Sequence, residues 1–378
     1  MGRAPGALAI VVTLSLLGVA CGGEAVRFQA PATGEPSAAA PLASPSLAPT
    51  PAGTPDPAAA CVSCWPLNGK PLTATAVTDR RPLVVKIDNV PAARPHYGIA
   101  QADIVIEELV EGFVTRLAAV YQSQDPQTIG GVRSARLADR SLTQMFRGAL
   151  VYSGTSDYAK SLITQDAKSG RYIDLSADYT DGYYRVSFRP GPYNLFTSAT
   201  AHRATLKALK ADTVTGLPRW PFLALAEHPA MIAGMGGSTE AAEITIPYRE
   251  DTSLVTYKYD PASHTYSRWQ NDVGKAVRDV DAANKEPIVA ANIIVINTEI
   301  WEVPQIVDAA GAHGHDMRLV GTGSATVFRD GQRQDATWSR ANDAAVFTFA
   351  NKQGELIKLN PGQTWIHILP TEWTVSSK

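Results

Sequence analysis

The chain has 378 residues, 45 % of them hydrophobic, and its 34 Lys and Arg nearly balance 36 Asp and Glu for a net charge of −2. The basic residues form no run, so nucleic acid is not an expected partner, and the apolar content is too high for a chain disordered throughout. No apolar stretch after Cys21 approaches bilayer-spanning length, which leaves the N-terminus as the expected site of membrane attachment.

Three zones precede Cys21. Arg3 gives a short basic start, Leu8 to Val19 is apolar apart from Thr13, Ser15 and Gly18, and Ala20 stands before the cysteine. This is the layout of a signal peptide over residues 1–20. The run Leu16-Leu17-Gly18-Val19-Ala20-Cys21 resembles a lipobox, in which the cysteine is lipidated and becomes the new N-terminus. Gly18 holds the place usually taken by leucine, which here falls one earlier at Leu17. Gly22 and Gly23 add the flexible backbone a peptidase needs. The expectation is an extracytoplasmic protein held to a bacterial membrane by lipid on Cys21; an ordinary secretory signal cleaved nearby is the alternative. From Glu24 to Ala60, Pro, Ala, Ser, Thr and Gly dominate. Such a segment buries too little apolar surface to offset its ordering entropy, so residues 21–60 read as a lipidated tether stiffened by prolines.

Cys61 and Cys64 remain as a Cys-x-x-Cys pair. Outside the cytoplasm a disulfide is the first expectation, with free thiols and redox or metal chemistry as alternatives. A thioredoxin-like centre would follow a strand and open a helix. This pair instead follows the tether and precedes Trp65-Pro66-Leu67-Asn68-Gly69.

Pro82 to Ile87 reads as a strand running into Asp88-Asn89. Ile104-Val105-Ile106, apolar on both faces, reads as a central strand. Val114 to Tyr121 alternates as its hairpin partner across Gly112, in a register that places Glu107 near Arg116. Gly130-Gly131 leads into an amphipathic stretch with Leu137, Leu142, Met145 and Phe146 on its apolar side. Leu150-Val151-Tyr152 is another strand, and Ser156 and Ser198 are placed to cap helices. Beyond Gly237 strands dominate. Tyr257 to Asp260 and Thr265 to Trp269 flank a turn, Ile293 to Ile296 is a buried strand, and Asp330-Gly331 marks a hairpin tip. Pro361-Gly362 makes a turn before a last strand through Ile368. The fold class is α+β: an α/β-like N-terminal domain over 61–240, then a β-rich C-terminal domain over 241–378.

The ordered motifs Arg81-Pro82-Leu83, Lys86-Ile87-Asp88-Asn89, Ala102-Asp103-Ile104-Val105, Val110-Glu111-Gly112 and Gly131-Val132-Arg133-Ser134-Ala135-Arg136 together resemble the YerB-like family of bacterial lipoproteins. Pro192 to Ser198, Gly321-Thr322-Gly323, Thr337-Trp338-Ser339 and Leu359-Asn360-Pro361-Gly362-Gln363-Thr364-Trp365-Ile366 extend the likeness over nearly everything after the tether. The resemblance implies two domains and an extracytoplasmic lipoprotein. It implies no activity, since the family is of unknown function. Trp65 is inserted in the usual Cys-Pro-Leu start, with Cys61 beside it, so the disulfide expectation does not come from the family.

Four constellations could carry chemistry. Asp88, Glu107, Glu108 and Glu111 stand at strand ends with Arg116 nearby, and two such acids in unlike environments could hydrolyse a glycan. A cross-strand Glu107–Arg116 pair is the plainer reading. Gly130 to Arg136 offers backbone N–H groups and the forked donors of Arg133 and Arg136, which suit a phosphate or carboxylate, or pair the nearby acids. Ser153-Gly154-Thr155-Ser156 lacks the spaced glycines of a hydrolase elbow and reads as helix capping. His313-Gly314-His315-Asp316-Met317 supplies too few ligands for a metal and reads as a polar loop. Trp269, Trp301, Trp338, Trp365 and Trp373 could stack on sugars or fill a β-rich core.

The leading expectation is a non-catalytic binding or scaffolding module of the cell envelope, engaging a partner protein or cell-wall polymer. A cell-wall glycan or peptide hydrolase is the alternative, and a solute-binding lipoprotein is a third. Candidate ligand-binding residues are Asp88, Asn89, Glu107, Glu111, Arg116, Arg133, Ser134, Arg136 and Ser153. No catalytic residue, metal or cofactor is assigned.

Overall fold

The computed structural model describes residues 61, 63–223, 238–308 and 311–378. The signal-peptide and tether readings, and Cys21 with them, lie outside the described residues.

Strands Leu83–Asp88 (β1), Ile104–Leu109 (β2) and Thr115–Tyr121 (β3) are buried at every residue. Strands this apolar on both sides need cover on both faces of their sheet. Helix Ala138–Met145 (α1) leads to Ala149–Tyr152 (β4), Asp157–Lys168 (α2) to Ile173–Ser176 (β5), and Ala199–Ala208 (α3) follows. The hydroxyls of Ser156 and Ser198 accept from the Ala159 and Ala201 amides, both at 3.2 Å, so each serine caps its helix as its position suggested.

The second half supplies Glu243–Ile246 (β6), Val255–Asp260 (β7), Thr265–Asp272 (β8), Lys275–Arg278 (β9) and Asn292–Thr298 (β10). Gly321–Arg329 (β11), Gln332–Arg340 (β12), Thr348–Ala350 (β13) and Thr364–Pro370 (β14) follow. Asp330 and Gly331 join β11 to β12 with φ of 54° and 72°, the left-handed pair that a type I′ hairpin turn requires.

Both halves build one sheet, in the order β13-β12-β11-β10-β14-β2-β3-β1-β4-β5. β14 lies parallel to β10 on one side and to β2 on the other. β1, β4 and β5 are also mutually parallel. On one face Val84, Ile106, Ile294 and Ile366 pack with Leu142 and Met145 of α1 and Ile163 of α2. On the other, Val85, Val105, Ile293 and Trp365 pack with Ile244, Tyr257 and Tyr266 of a second sheet ordered β9-β8-β7-β6.

Two expectations change, and one open alternative is resolved. The strand after Pro361-Gly362 is not the last in the chain, since Ser376–Ser377 follows it; Thr364–Pro370 is central in the large sheet, buried at every residue but Pro370, with neighbours from both halves. His313–Met317 is a strand paired with Ile300–Val307, since a two-stranded hairpin accepts polar side chains on its open face. Trp338 and Trp365 are fully buried, with indole N–H groups bonded to Asn297 O and Gln363 Oε1, whereas Trp301 stays 46 % exposed.

A chain ending at residue 360 lacks β14 and leaves β2 and β10 as long apolar edges. It is expected to aggregate and to lose native far-UV circular dichroism in both halves. Limited proteolysis that yields a stable fragment over 61–223 from this chain would contradict the shared sheet.

Candidate functional site

Strand periodicity sends the neighbours Glu107 and Glu108 to opposite faces of the sheet. Glu108 turns toward α1, where Lys86 Nζ lies 2.6 Å from it and 2.9 Å from Asp139, all three side chains sealed from water. Glu107 turns toward the second sheet and meets Arg268 at 2.8 Å; the same guanidinium also pairs with Asp279. Asn89 and Thr115 donate to Glu107 at 2.9 and 2.8 Å, and the Tyr248 hydroxyl donates to its carbonyl at 3.1 Å. Arg268 also lies 4.4 Å over the Trp365 ring.

The expected Glu107–Arg116 pair is therefore not formed. The β2–β3 register sets Arg116 opposite Glu108 and Leu117 opposite Glu107. A slip of one residue exchanges faces, and that is what separates the expectation from the structure. Asn89 likewise belongs with Glu107 on the covered face.

Electrostatics follow burial. Burial raises the Glu107 carboxyl above the ordinary range, with Arg268 pulling it back. Glu108 is pushed up to about 7 by burial, which outweighs the attraction of Lys86. Burial lowers the Arg268 guanidinium, but Asp279 and then Glu107 more than restore it, so it stays charged. His367 is held well below its usual value by burial and then by Arg268, which keeps the imidazole neutral beside Tyr257. Charges placed this way stabilise only as complete sets, because removing one partner strands the others and costs about 3–5 kcal/mol. Glu107 and Glu108 are thus structural acids, sealed on opposite faces, and cannot flank one substrate.

The remaining candidates gather at the carboxyl ends of β1, β2 and β4. Segment 131–135 threads between the ends of β1 and β4: Asp88 N donates to Gly131 O, Arg133 N to Lys86 O, Ser153 N to Arg133 O and Ala135 N to Gly154 O, all between 2.9 and 3.1 Å. Gly131 is required by closeness, since a Cβ there would stand 2.7 Å from the Tyr193 carbonyl. Asp88 pairs with Arg133 at 2.8 Å, Glu111 pairs with Arg136 at 2.5 Å, and Arg116 donates to Ser134 O at 3.0 Å. Burial and then the positive charge of Arg136 lower the Arg116 guanidinium to about 10, against the pull of Asp88 and Glu111. Arg133, Ser134, Arg136 and Ser153 are all partly open to solvent. The structure thus brings together Asp88, Glu111, Arg116, Arg133, Ser134, Arg136 and Ser153.

Cys61 and Cys64 are disulfide-bonded with Cα atoms 5.4 Å apart. Sequence reasoning missed Lys86, Asp139, Arg268 and Asp279. Lys86 had a signal, a charge inside the apolar run Leu83-Val84-Val85-Lys86-Ile87, which requires a buried counter-charge. Arg268 gave none, because its partner Glu107 is far away in the chain, and Asp279 gave none because it acts only through Arg268.

The Glu108 carboxyl provides a test. Its folded value of about 7 lies above the 4.5 of a free glutamate, so the folded state holds the proton more tightly. This contribution favours folding at low pH and is lost as pH rises from about 4.5 through 7. Relative to Glu108→Gln, the wild type is expected to lose on the order of 2–3 kcal/mol across that window, read from urea midpoints at each pH. A difference between the two proteins that does not change with pH would contradict the assignment.

Profiles described as the N-terminal and C-terminal domains of a protein of unknown function, DUF3048, match residues 67–212 and 244–366. YerB of Bacillus subtilis (strain 168), named as a candidate lipoprotein, is 32 % identical over 316 residues, spanning 81 % of this chain and 86 % of that protein. The crystal structure of YerB protein from Bacillus subtilis aligns with a TM-score of 0.68 and 27 % identity, over 83 % of this chain and 99 % of that one. Among the described residues, no helix is long and apolar enough to cross a membrane. The likeness read from the ordered motifs and the likeness of fold agree: the chain belongs to the DUF3048, or YerB-like, family.

Proposed function

We propose that this chain is an envelope lipoprotein, anchored through Cys21, that works by binding rather than by catalysis. One observation carries the reading. The acids best placed for acid–base chemistry, Glu107 and Glu108, are spent inside sealed ion-pair sets. The donors of segments 133–136 and 153–155, by contrast, reach solvent at the carboxyl ends of parallel strands. In open α/β sheets that end is where ligands bind. The partner is an envelope protein or a cell-wall polymer that engages the Arg133–Arg136 face, and the Pro-rich tether supplies reach from the membrane. The membership in a family with a lipoprotein-named relative supports the anchoring.

The test is a pull-down from detergent-solubilised membranes with wild type and Arg133→Ala/Arg136→Ala. A partner held by wild type and lost by the double variant, with both proteins giving the same near-UV circular dichroism, is the expected result. A partner indifferent to the double change would overturn the assignment of this face.

A further inference from the structure

The ligand class can be read from the donors. We infer that the partly exposed donors of the adjoining segments 133–136 and 153–155 bind a phosphate group carried by a phosphate ester or as the free ion. The inference rests on the binding reading above and names its ligand chemistry.

The first support is an arginine set without enough acceptors. Arg116 is only 8 % exposed, and it spends one N–H on the Ser134 carbonyl. Its Nε, like those of Arg136 here and of Arg94, Arg268 and Arg329 elsewhere in the fold, is buried with no hydrogen-bond acceptor among the described residues; what sets this site apart is that Arg133 and Arg136 beside it are partly open to solvent. A buried guanidinium donor left unpaired is costly, and a turn of the side chain toward a ligand oxygen would satisfy it. Three guanidiniums, of Arg116, Arg133 and Arg136, stand against two carboxylates, of Asp88 and Glu111. The acid surplus behind them, in the Lys86–Glu108–Asp139 set, is weakened because Glu108 is pushed up to about 7.

The second support is the backbone. The amides of Arg133, Ala135 and Ser153 are all bonded, whereas those of Ser134, Gly154 and Thr155 have no acceptor among the described residues. The two segments are tied together by Ala135 N to Gly154 O and by Thr155 Oγ1 to Ala135 O at 2.9 Å. Free amides from both segments therefore belong to one small region. It lies directly before α2, whose N-terminus adds partial positive charge.

The third support is shape. A planar carboxylate offers two oxygens in one plane and suits a single fork. A tetrahedral phosphate offers oxygens in several directions, which fits guanidiniums from β3 and from segment 133–136 together with amides from two loops. The Tyr193 ring, 5.9 Å from the Arg133 guanidinium, helps hold that fork in place.

The experiment is calorimetric titration of the full-length protein in detergent, at low ionic strength, with inorganic phosphate, glycerophosphoglycerol and acetate. Saturable one-to-one binding of a phosphate probe is expected, with acetate about tenfold weaker or worse. Arg133→Ala/Arg136→Ala is expected to weaken the phosphate probe about tenfold or more, while Arg318→Ala, on the other half, stays within about twofold. Preference for the diester would assign the group to a polymer or lipid headgroup, and preference for inorganic phosphate to the free ion; both uphold the inference. Arg116→Gln probes the buried donor. If that variant fails to fold, the double variant, changed at partly exposed positions, still decides. No saturable binding of either phosphate probe, acetate as tight as phosphate, or a double variant equal to wild type would overturn the inference. A pull-down partner that depends on the arginines without any phosphate affinity would sink this ligand class and leave the binding reading standing.

Discussion

A guanidinium sealed from water, Arg268, ties the second sheet to the central one through Glu107, with Asp279 as its other counter-charge. Burying such charges carries a desolvation cost that only complete hydrogen-bonded pairing recovers. The pairing therefore fixes where β8 of the second half must lie against β2 of the first. The same junction is crossed by β14, whose amides and carbonyls pair with β10 and β2 together. Two family regions that are separate along the chain thus meet in one hydrogen-bonded sheet.

This arrangement divides polar groups by use. Acids near the sheet centre are structural: Glu107 with Arg268 ties the two halves together beneath the second sheet, and Glu108 with Lys86 and Asp139 ties β1 and β2 to α1 within the first half. Donors beyond the strand ends, in segments 133–136 and 153–155, are not consumed in the same way. The sheet holds such donors at its carboxyl edge, and the binding role proposed for this fold has to be argued from that edge.

What was legible in the sequence was local. Asp330-Gly331 specifies its own turn, and Ser156 and Ser198 specify their own caps, because each feature depends on residues within four positions. The gathering of Arg133, Ser134 and Arg136 with Ser153 was not legible, since the two segments read as separate features and only hydrogen bonds between residues far apart in the chain join them. The partner of Glu107 was not legible. Register decided it, and a one-residue change of register moves a side chain to the other face of the sheet. Nor could local patterning reveal that Thr364–Pro370 is central, because a doubly apolar strand shows that it is buried but not between which neighbours.

The central claim is that the halves share one cooperative sheet. Native-state hydrogen exchange tests it most directly. The slowest amides of β2, β10 and β14 are expected to exchange with a common free energy that falls together as denaturant is added. Exchange in β10 and β14 that is markedly faster than in β1, β2 and β3, with a separate denaturant dependence, would show that the halves open independently and would contradict the account.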